Sequence, residues 1–390
     1  MQTGRNSFAP WVHREKKSLV AVLHPLMISS LALDSGFASY VETVKGQSPR
    51  FSSNMVTSPS PPPTGLLKID PAILFDLPPI QDILNVTELP GSRWARLTRI
   101  HVLHADGTEQ RYFLKISHGS HGLAALQGEH AATLAIHHLA PSFCPRPIAV
   151  GTLRFSPTSH FYLCQWHDFL PPGGPLPPPA IFCAQLARMH HGATSPNGKF
   201  GFHCTTYNGD LPQDNRWCDT WEELFVQQLR GVLAIREERA GGKDEELEAL
   251  MPGLFGTVIP RLLRPLETRG RRLRPALVHG DLWCGNVGVV DGGDAAGMVF
   301  DPAAFWGHHE YEFGNWRPHR NRFDGRYFEA YHALVERSEP KEDYDDRNML
   351  YGVRFNLNAS ALFPDNAEFL EMAIKDIRYL VNKFPYAYAE

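Results

Sequence analysis

Apolar and polar residues alternate from Ala95 to His104, the chain turns at Ala105-Asp106-Gly107, and the pattern returns from Gln110 to Ile116. Alternation of period two around a glycine-containing turn predicts a β-hairpin within residues 92–116. The period then changes. Leu123, Leu126, Ala131, Leu134 and His138 are spaced as on one helix face, which predicts a helix over Leu123–Leu139. Pro145 and Pro147 punctuate its exit, and two more strands are expected at Ile148–Leu153 and His160–Trp166. Together these elements form a small antiparallel sheet with one packed helix.

The run Pro171-Pro172-Gly173-Gly174-Pro175-Leu176-Pro177-Pro178-Pro179 then cuts the chain and reads as a connector between two lobes. Helical spacing dominates beyond it, at Ala180–His190, Trp221–Ala240, Asp244–Arg269, Arg326–Val335, Asp345–Asn358 and Ala367–Lys383. A strand-loop-strand unit around residue 280 interrupts these helices, and no internal repeat is present. The expected fold class is α+β, a β-rich first lobe followed by a larger, mostly helical second lobe.

Residues 1–65 have a different character. Residues 18–33 are the most apolar run in the chain, but the run is short for a membrane span and is broken by His24 and Pro25. Arg5, Arg14, Lys16 and Lys17 precede it, which leaves a transit or secretory segment as one reading. The Ser/Pro stretch Thr57–Pro63 has linker composition, and Met55 is an alternative start. The expectation is a poorly ordered tail. Over the whole chain, a 43% apolar content fills a real core, and a net charge of −4 gives no reason to expect nucleic acid or an anionic membrane as partner. The six cysteines, at 144, 164, 183, 204, 218 and 284, show no paired or zinc-ligand spacing and read as reduced thiols of a cytoplasmic protein.

The most informative chemistry lies in Leu277-Val278-His279-Gly280-Asp281-Leu282-Trp283-Cys284-Gly285-Asn286, followed by Phe300-Asp301-Pro302. This combination predicts phosphoryl transfer. The attacking hydroxyl needs a positioned acceptor for its proton, and Asp281 suits that task. Asn286 and Asp301 supply hard oxygen ligands of the kind Mg2+ prefers, for neutralising the charge of ATP. A turn rich in Gly and Asp with a buried Trp explains one or two of these residues, but not the set and its spacing. His279 is tempting as a base, yet a bracing role through hydrogen bonds fits better.

Four further features would complete an ATP cleft. Lys115 ends the apolar strand Tyr112–Ile116, and Glu129 sits within the following helix. A strand lysine on the α/β-phosphates, fixed by a helix glutamate, is the usual kinase solution. A snorkelling lysine and a solvated glutamate are the bland alternative. The turn Pro90-Gly91-Ser92-Arg93 should cover the phosphates, with Ser92 offering either a hydroxyl or an ordinary turn residue. Gln165, Trp166 and His167 lie where adenine would bind, although Trp166 fits a core position equally well. Trp283 is a candidate platform for a sugar face or a packing residue. His309 and Glu310 follow the expected metal strand and are expected to contact the substrate. Residues 66–168 are therefore read as the ATP-binding lobe and 169–390 as the catalytic and substrate lobe.

Taken together, these residues resemble the fructosamine kinase family, also called ketosamine-3-kinase or protein-ribulosamine 3-kinase, within the protein-kinase-like superfamily. The resemblance covers roughly residues 85–385 and rests on three segments. The first is Lys199-Phe200-Gly201-Phe202-His203-Cys204-Thr205-Thr206, continuing through Pro212–Trp217 to Trp221. The second is His279–Asn286, and the third is Asp301-Pro302-Ala303-Ala304-Phe305-Trp306-Gly307-His308-His309-Glu310. The resemblance implies a two-lobed kinase fold, ATP and Mg2+ as cofactors, and Asp281 as catalytic base. It also implies Asn286 and Asp301 as metal ligands, Lys115 and Glu129 as the ATP pair, and Gln165–His167 as the hinge. The implied reaction phosphorylates the 3-hydroxyl of ketosamines, free or on glycated proteins; a monomer or weak dimer is expected. The chain departs from the family at Tyr311-Glu312-Phe313-Gly314-Asn315-Trp316-Arg317 and at Ala359-Ser360-Ala361-Leu362-Phe363, which flank the expected acceptor pocket.

Two other readings are distinguishable. A kinase for choline or an aminoglycoside-like amine would want acids around the pocket, and Glu310 and Glu312 leave that open. A non-catalytic kinase-shaped binding module would have lost Asp281, Asn286 or Asp301, and all three are present.

Overall fold

The computed structural model describes residues 69–90, 92–292, 297–386 and 388. Expectations for residues 1–65 and for Gly91 lie outside the described residues.

Five strands form the first sheet: β1 (Ile80–Glu88), β2 (Arg96–His104), β3 (Glu109–His118), β4 (Pro147–Thr152) and β5 (Ser159–Gln165). Their order is β1-β2-β3-β5-β4, and every pairing is antiparallel. The β2–β3 hairpin is the one expected from its alternation, and the helix α1 (Gly119–Leu139) follows it directly. β1 is an element the apolar pattern does not announce. It is an edge strand with two register irregularities, between Ile80 and Asp82 and between Ile83 and Asn85. These bulges leave Ile80, Ile83 and Val86 as partly buried positions at intervals of three, which hides the usual period of two.

Pleating decides which way β3 presents its chemistry. Phe113 packs with Leu97, Tyr162, Cys164 and Leu126 of α1, whereas Tyr112 and Leu114 pack with Ile100, Val102 and Leu163 on the opposite face. Lys115 lies two residues beyond Phe113 and so shares the face covered by α1. On α1, Glu129 lies one turn from Leu126 and shares its inward stripe.

The second lobe holds the larger core, built on helices α2 (Pro179–His191), α3 (Trp221–Arg239), α4 (Glu245–Gly253), α5 (Gly325–His332), α6 (Tyr344–Leu362) and α7 (Ala367–Lys383). α3 starts with a capping box in which Thr220 and Glu223 satisfy each other's amides. The single helix expected over Asp244–Arg269 is broken instead. α4 gives way to a π turn at Leu254–Val258, a short helix at Ile259–Leu263 and a 3-10 turn at Arg264–Leu266. Pro252, Pro260 and Pro265 each lack the amide donor that a continuous helix requires.

Small strand pairs support the loops. A two-residue hairpin, β6 (Tyr207–Asn208) and β7 (Leu211–Pro212), precedes α3; β8 (Ala276–Val278) pairs with β11 (Phe305–Gly307), and β9 (Val287–Val289) pairs with β10 (Gly297–Val299). Phe300, after β10, packs with Phe169 and the residues beneath the first sheet, which gives the two lobes an apolar contact next to Asp301. No helix among the described residues is long and apolar enough to cross a membrane.

Candidate active site

The sheet lysine, the helix glutamate and the aspartate beyond β10 converge. Lys115 Nζ donates to both carboxylate oxygens of Glu129 at 2.8 Å and to Asp301 Oδ1 at 2.9 Å. Burial works against the Lys115 charge, but the attraction of Asp301 and Glu129 outweighs it and holds the pKa above the ordinary lysine value. One lysine cannot neutralise two buried carboxylates. Burial, together with repulsion from Asp301, pushes Glu129 above the ordinary carboxylate range.

Asp301 adopts a left-handed backbone with φ of 53°, uncommon for a residue other than glycine. Such strain persists only where surroundings dictate it, and here it sits on a charged loop between the lobes. Its Oδ2 is buried and has no hydrogen-bond partner among the described residues.

Asp281 stands on the loop after β8. Asn286 donates its side-chain amide to the Asp281 carbonyl at 2.9 Å and to Oδ2 at 3.2 Å, and Asn315 donates to Oδ1 at 3.4 Å. Burial first, and the negative charge of Asp301 second, push the Asp281 carboxyl up to about 7. His279 acts as a brace. Its Nε2 donates to the Phe300 carbonyl at 3.0 Å, which leaves Nδ1 to accept the Asp281 amide at 3.3 Å. Burial lowers the His279 pKa and keeps the ring neutral.

Beneath this loop lies Glu312, which the sequence offers only as a pocket acid. Its two carboxylate oxygens accept the backbone amides of His279, at 2.6 Å, and Gly280, at 3.1 Å. Asn208 on β6 donates to the Gly280 carbonyl at 3.2 Å. Asn208, Glu312 and Asn315 thus hold the Asp281 loop without any recognisable spacing to it. The segment from Lys199 to Trp217 gains a physical reason here: it carries Asn208, and Phe200 and Phe202 anchor it in the core.

Several expected site residues are placed elsewhere than the sequence suggests. Glu310 is buried and paired with Arg347 at 3.2 Å, while its other oxygen accepts the Ser338 amide at 2.6 Å. His309 is buried with its ring stacked on Tyr331. Both are buried in the second lobe, because the 3-10 turn after β11 directs them inward. His308, His309 and Glu310 do approach within 4.8 Å of one another. However, His308 is committed to Tyr351 and Ser338, and Glu310 to Arg347, so the trio reads as packing.

At the hinge, the Gln165 amide donates to Arg146 and the Trp166 amide to Arg111, so neither donor is left for adenine. Trp166 is a core residue whose indole donates to Asp168 at 2.9 Å. His167 is half-buried, and its Nε2 is buried with no partner among the described residues. Ser92 accepts the Trp94 amide at 3.0 Å, a side-chain-stabilised turn. Trp283 is half-buried and its ring folds back over Gly285, where a methyl group would collide with it.

A β-rich lobe carrying a Lys–Glu pair, set over a helical lobe carrying Asp281, Asn286 and Asp301, defines a phosphotransferase of the protein-kinase-like class. The chain belongs to the fructosamine kinase family, whose model matches residues 86–383. It is similar to a candidate ketoamine kinase of Synechocystis, 28% identical over 263 residues covering 65% of this chain and 78% of that one. It is likewise 28% identical over 277 residues to a chloroplastic protein-ribulosamine 3-kinase of Oryza sativa, covering 69% of this chain and 73% of the relative. The crystal structure of a candidate fructosamine-3-kinase of Thermobifida fusca superposes with a TM-score of 0.60 at 22% identity, covering 82% of this chain and all of that one.

Proposed function

We propose that this kinase transfers the γ-phosphoryl group of ATP to the 3-hydroxyl of ketosamines, free or carried on the lysines of glycated proteins. The observation that carries this reading is the Asp281 carboxylate, held by Asn286 and Asn315 on a loop facing the Lys115–Asp301 ion pair. In this reading ATP lies between residues 66–168 and 169–390, with Lys115, oriented by Glu129, on its α/β-phosphates. A bond forms between the acceptor O3 and the γ-phosphorus as the bond to the β–γ bridging oxygen breaks and ADP leaves. Asp281 takes the hydroxyl proton, general-base help worth ~10²–10⁴ in rate.

The donor set fits magnesium. Asp301 Oδ2 is a buried oxygen without a partner among the described residues, and Asn286 turns its nitrogen to Asp281, leaving its own oxygen for a cation. Bound there, magnesium would neutralise phosphate charge. The family of ribulosamine and ketosamine kinases among the relatives supports the acceptor class. The 3-O-phosphate ester destabilises the adduct, so the amine is released and the protein deglycated. A reducing, cytoplasmic setting suits six cysteines that form no disulfide.

A cationic acceptor such as choline loses its motive, because Glu310 binds Arg347 and Glu312 binds backbone amides. The test is a side-by-side ATP assay on ribulose-lysine, fructose-lysine and choline. Turnover of the ketosamines is expected, and turnover of choline alone would overturn the reading.

A further inference from the structure

Two arginines, Arg347 and Arg354, are among the largest fully buried side chains, and they are treated differently. Arg347 has its counter-ion in Glu310. Arg354, on α6, has no carboxylate within ion-pair distance among the described residues, only the longer-range attraction of Asp281, and its Nε has no hydrogen-bond partner there. Burying a cation without a counter-ion is costly, so its retention calls for a compensating use.

Its bonds run to both loops of the active site. Nη1 donates to Asn358 Oδ1, Asn358 Nδ2 donates to Asn208 Oδ1 at 3.0 Å, and Asn208 Nδ2 donates to the Gly280 carbonyl at 3.2 Å. Nη2 donates at 3.5 Å to Gln213 Oε1, and Gln213 Nε2 donates to the Ala303 carbonyl at 2.8 Å. One arm therefore ends next to Asp281 and the other two residues beyond Asp301.

A guanidinium has donors only, which fixes the direction of every bond that follows. Asn358 must turn its oxygen towards Arg354 and hence its nitrogen towards Asn208. Asn208 must then present its nitrogen to Gly280, and Gln213 its nitrogen to Ala303. A side chain at 354 with an acceptor, or with no polar group, would leave Asn358 Oδ1 and Gln213 Oε1 without the donor that ties each relay to α6. The two loops also touch directly, since Gly280 has φ of 78° and a side chain there would strike the Ala303 carbonyl.

We infer that Arg354 is a positioning residue for phosphoryl transfer, an all-donor hub whose two amide relays hold the Asp281 loop and the Asp301 loop in one relative placement. This rests on the roles of Asp281 and Asp301 proposed above.

The test uses the whole protein with ATP and ribulose-lysine, alongside hydrogen exchange of the two loops. Arg354→Met should lower kcat by at least about tenfold with little change in KM for ATP, since it orphans two buried acceptors. Arg354→Lys, still a pure donor, should recover much of that loss. Two further variants separate the arms and serve if Arg354→Met fails to fold. Asn358→Asp still accepts from Arg354 but cannot donate to Asn208, and should quicken exchange around Gly280 only. Gln213→Glu cannot donate to Ala303, and should quicken exchange around Ala303 only. A folded Arg354→Met or Asn358→Asp enzyme with wild-type kcat and unchanged exchange at both loops would overturn the inference. Wild-type protein inactive on ribulose-lysine would instead sink the proposed acceptor, while the exchange measurements still decide the role of Arg354.

Discussion

Lys115 and Asp301 are 186 residues apart in the chain, and their charged atoms lie 2.9 Å apart between the lobes. The lysine also serves Glu129, so a single buried cation is shared between two carboxylates. Lys115→Met should abolish turnover and lower the melting midpoint, because removing one member of a buried ionic cluster costs about 3–5 kcal/mol. Adding Glu129→Gln should restore part of the midpoint and none of the activity. Thermal melts and an ATP assay on the three proteins check both statements. A single variant that melts like wild type would show the cluster to be well hydrated.

Asp281→Asn retains the size and hydrogen-bonding reach of the carboxyl but cannot take a proton. Turnover should fall ~10²–10⁴-fold while ATP binding is spared. Steady-state kinetics with a nucleotide-binding titration provide the measurement. Unchanged turnover would remove Asp281 as the base.

Glu312 accepts two backbone amides with two oxygens. In Glu312→Gln one of those oxygens becomes a donor facing an amide donor. The His279–Gly280 amides should exchange faster and kcat should drop, with the lysine–aspartate side of the site intact. Amide-resolved hydrogen exchange reads this directly, and wild-type protection at both amides would refute it.

Glu267 lies away from the site and accepts the Trp221 amide at the start of α3 at 2.8 Å. Burial pushes its carboxyl up to about 7 from an ordinary 4.5. Between those values the folded protein holds a proton that the unfolded chain releases, so this residue makes stability fall as pH rises from 4.5 towards 7. Glu267→Gln keeps an acceptor for the amide and should flatten that part of the profile. Melting midpoints across the range would show it. A variant whose midpoint falls as steeply as the parent's would assign the slope to other groups.

Legibility in the sequence followed the range of the interaction. The β2–β3 hairpin and α7 could be read closely because their periodicity is set by neighbours in the chain. β1 could not, since its bulges shift the register, and the spacing over 244–269 predicts one helix although its prolines divide it. Among site residues, Asp281, Asn286, Asp301, Lys115 and Glu129 carry a spacing tied to phosphate chemistry, and the fold brings them together. His309 and Glu310 share the same stretch of sequence, and yet the turn after β11 points them into the core.

The sequence alone determined the kinase family, the two-lobed α+β architecture and the identity of the charged groups between the lobes. These follow from local periodicity and from residue types that the chemistry cannot replace. Only the tertiary structure decided what holds those groups in place. Glu312 and Asn208 act through backbone amides and a carbonyl, Asn315 through the Asp281 carboxylate, and Arg354 through two side-chain amides, all brought close by folding. A hydrogen bond to a backbone atom leaves no mark on the side chain it serves.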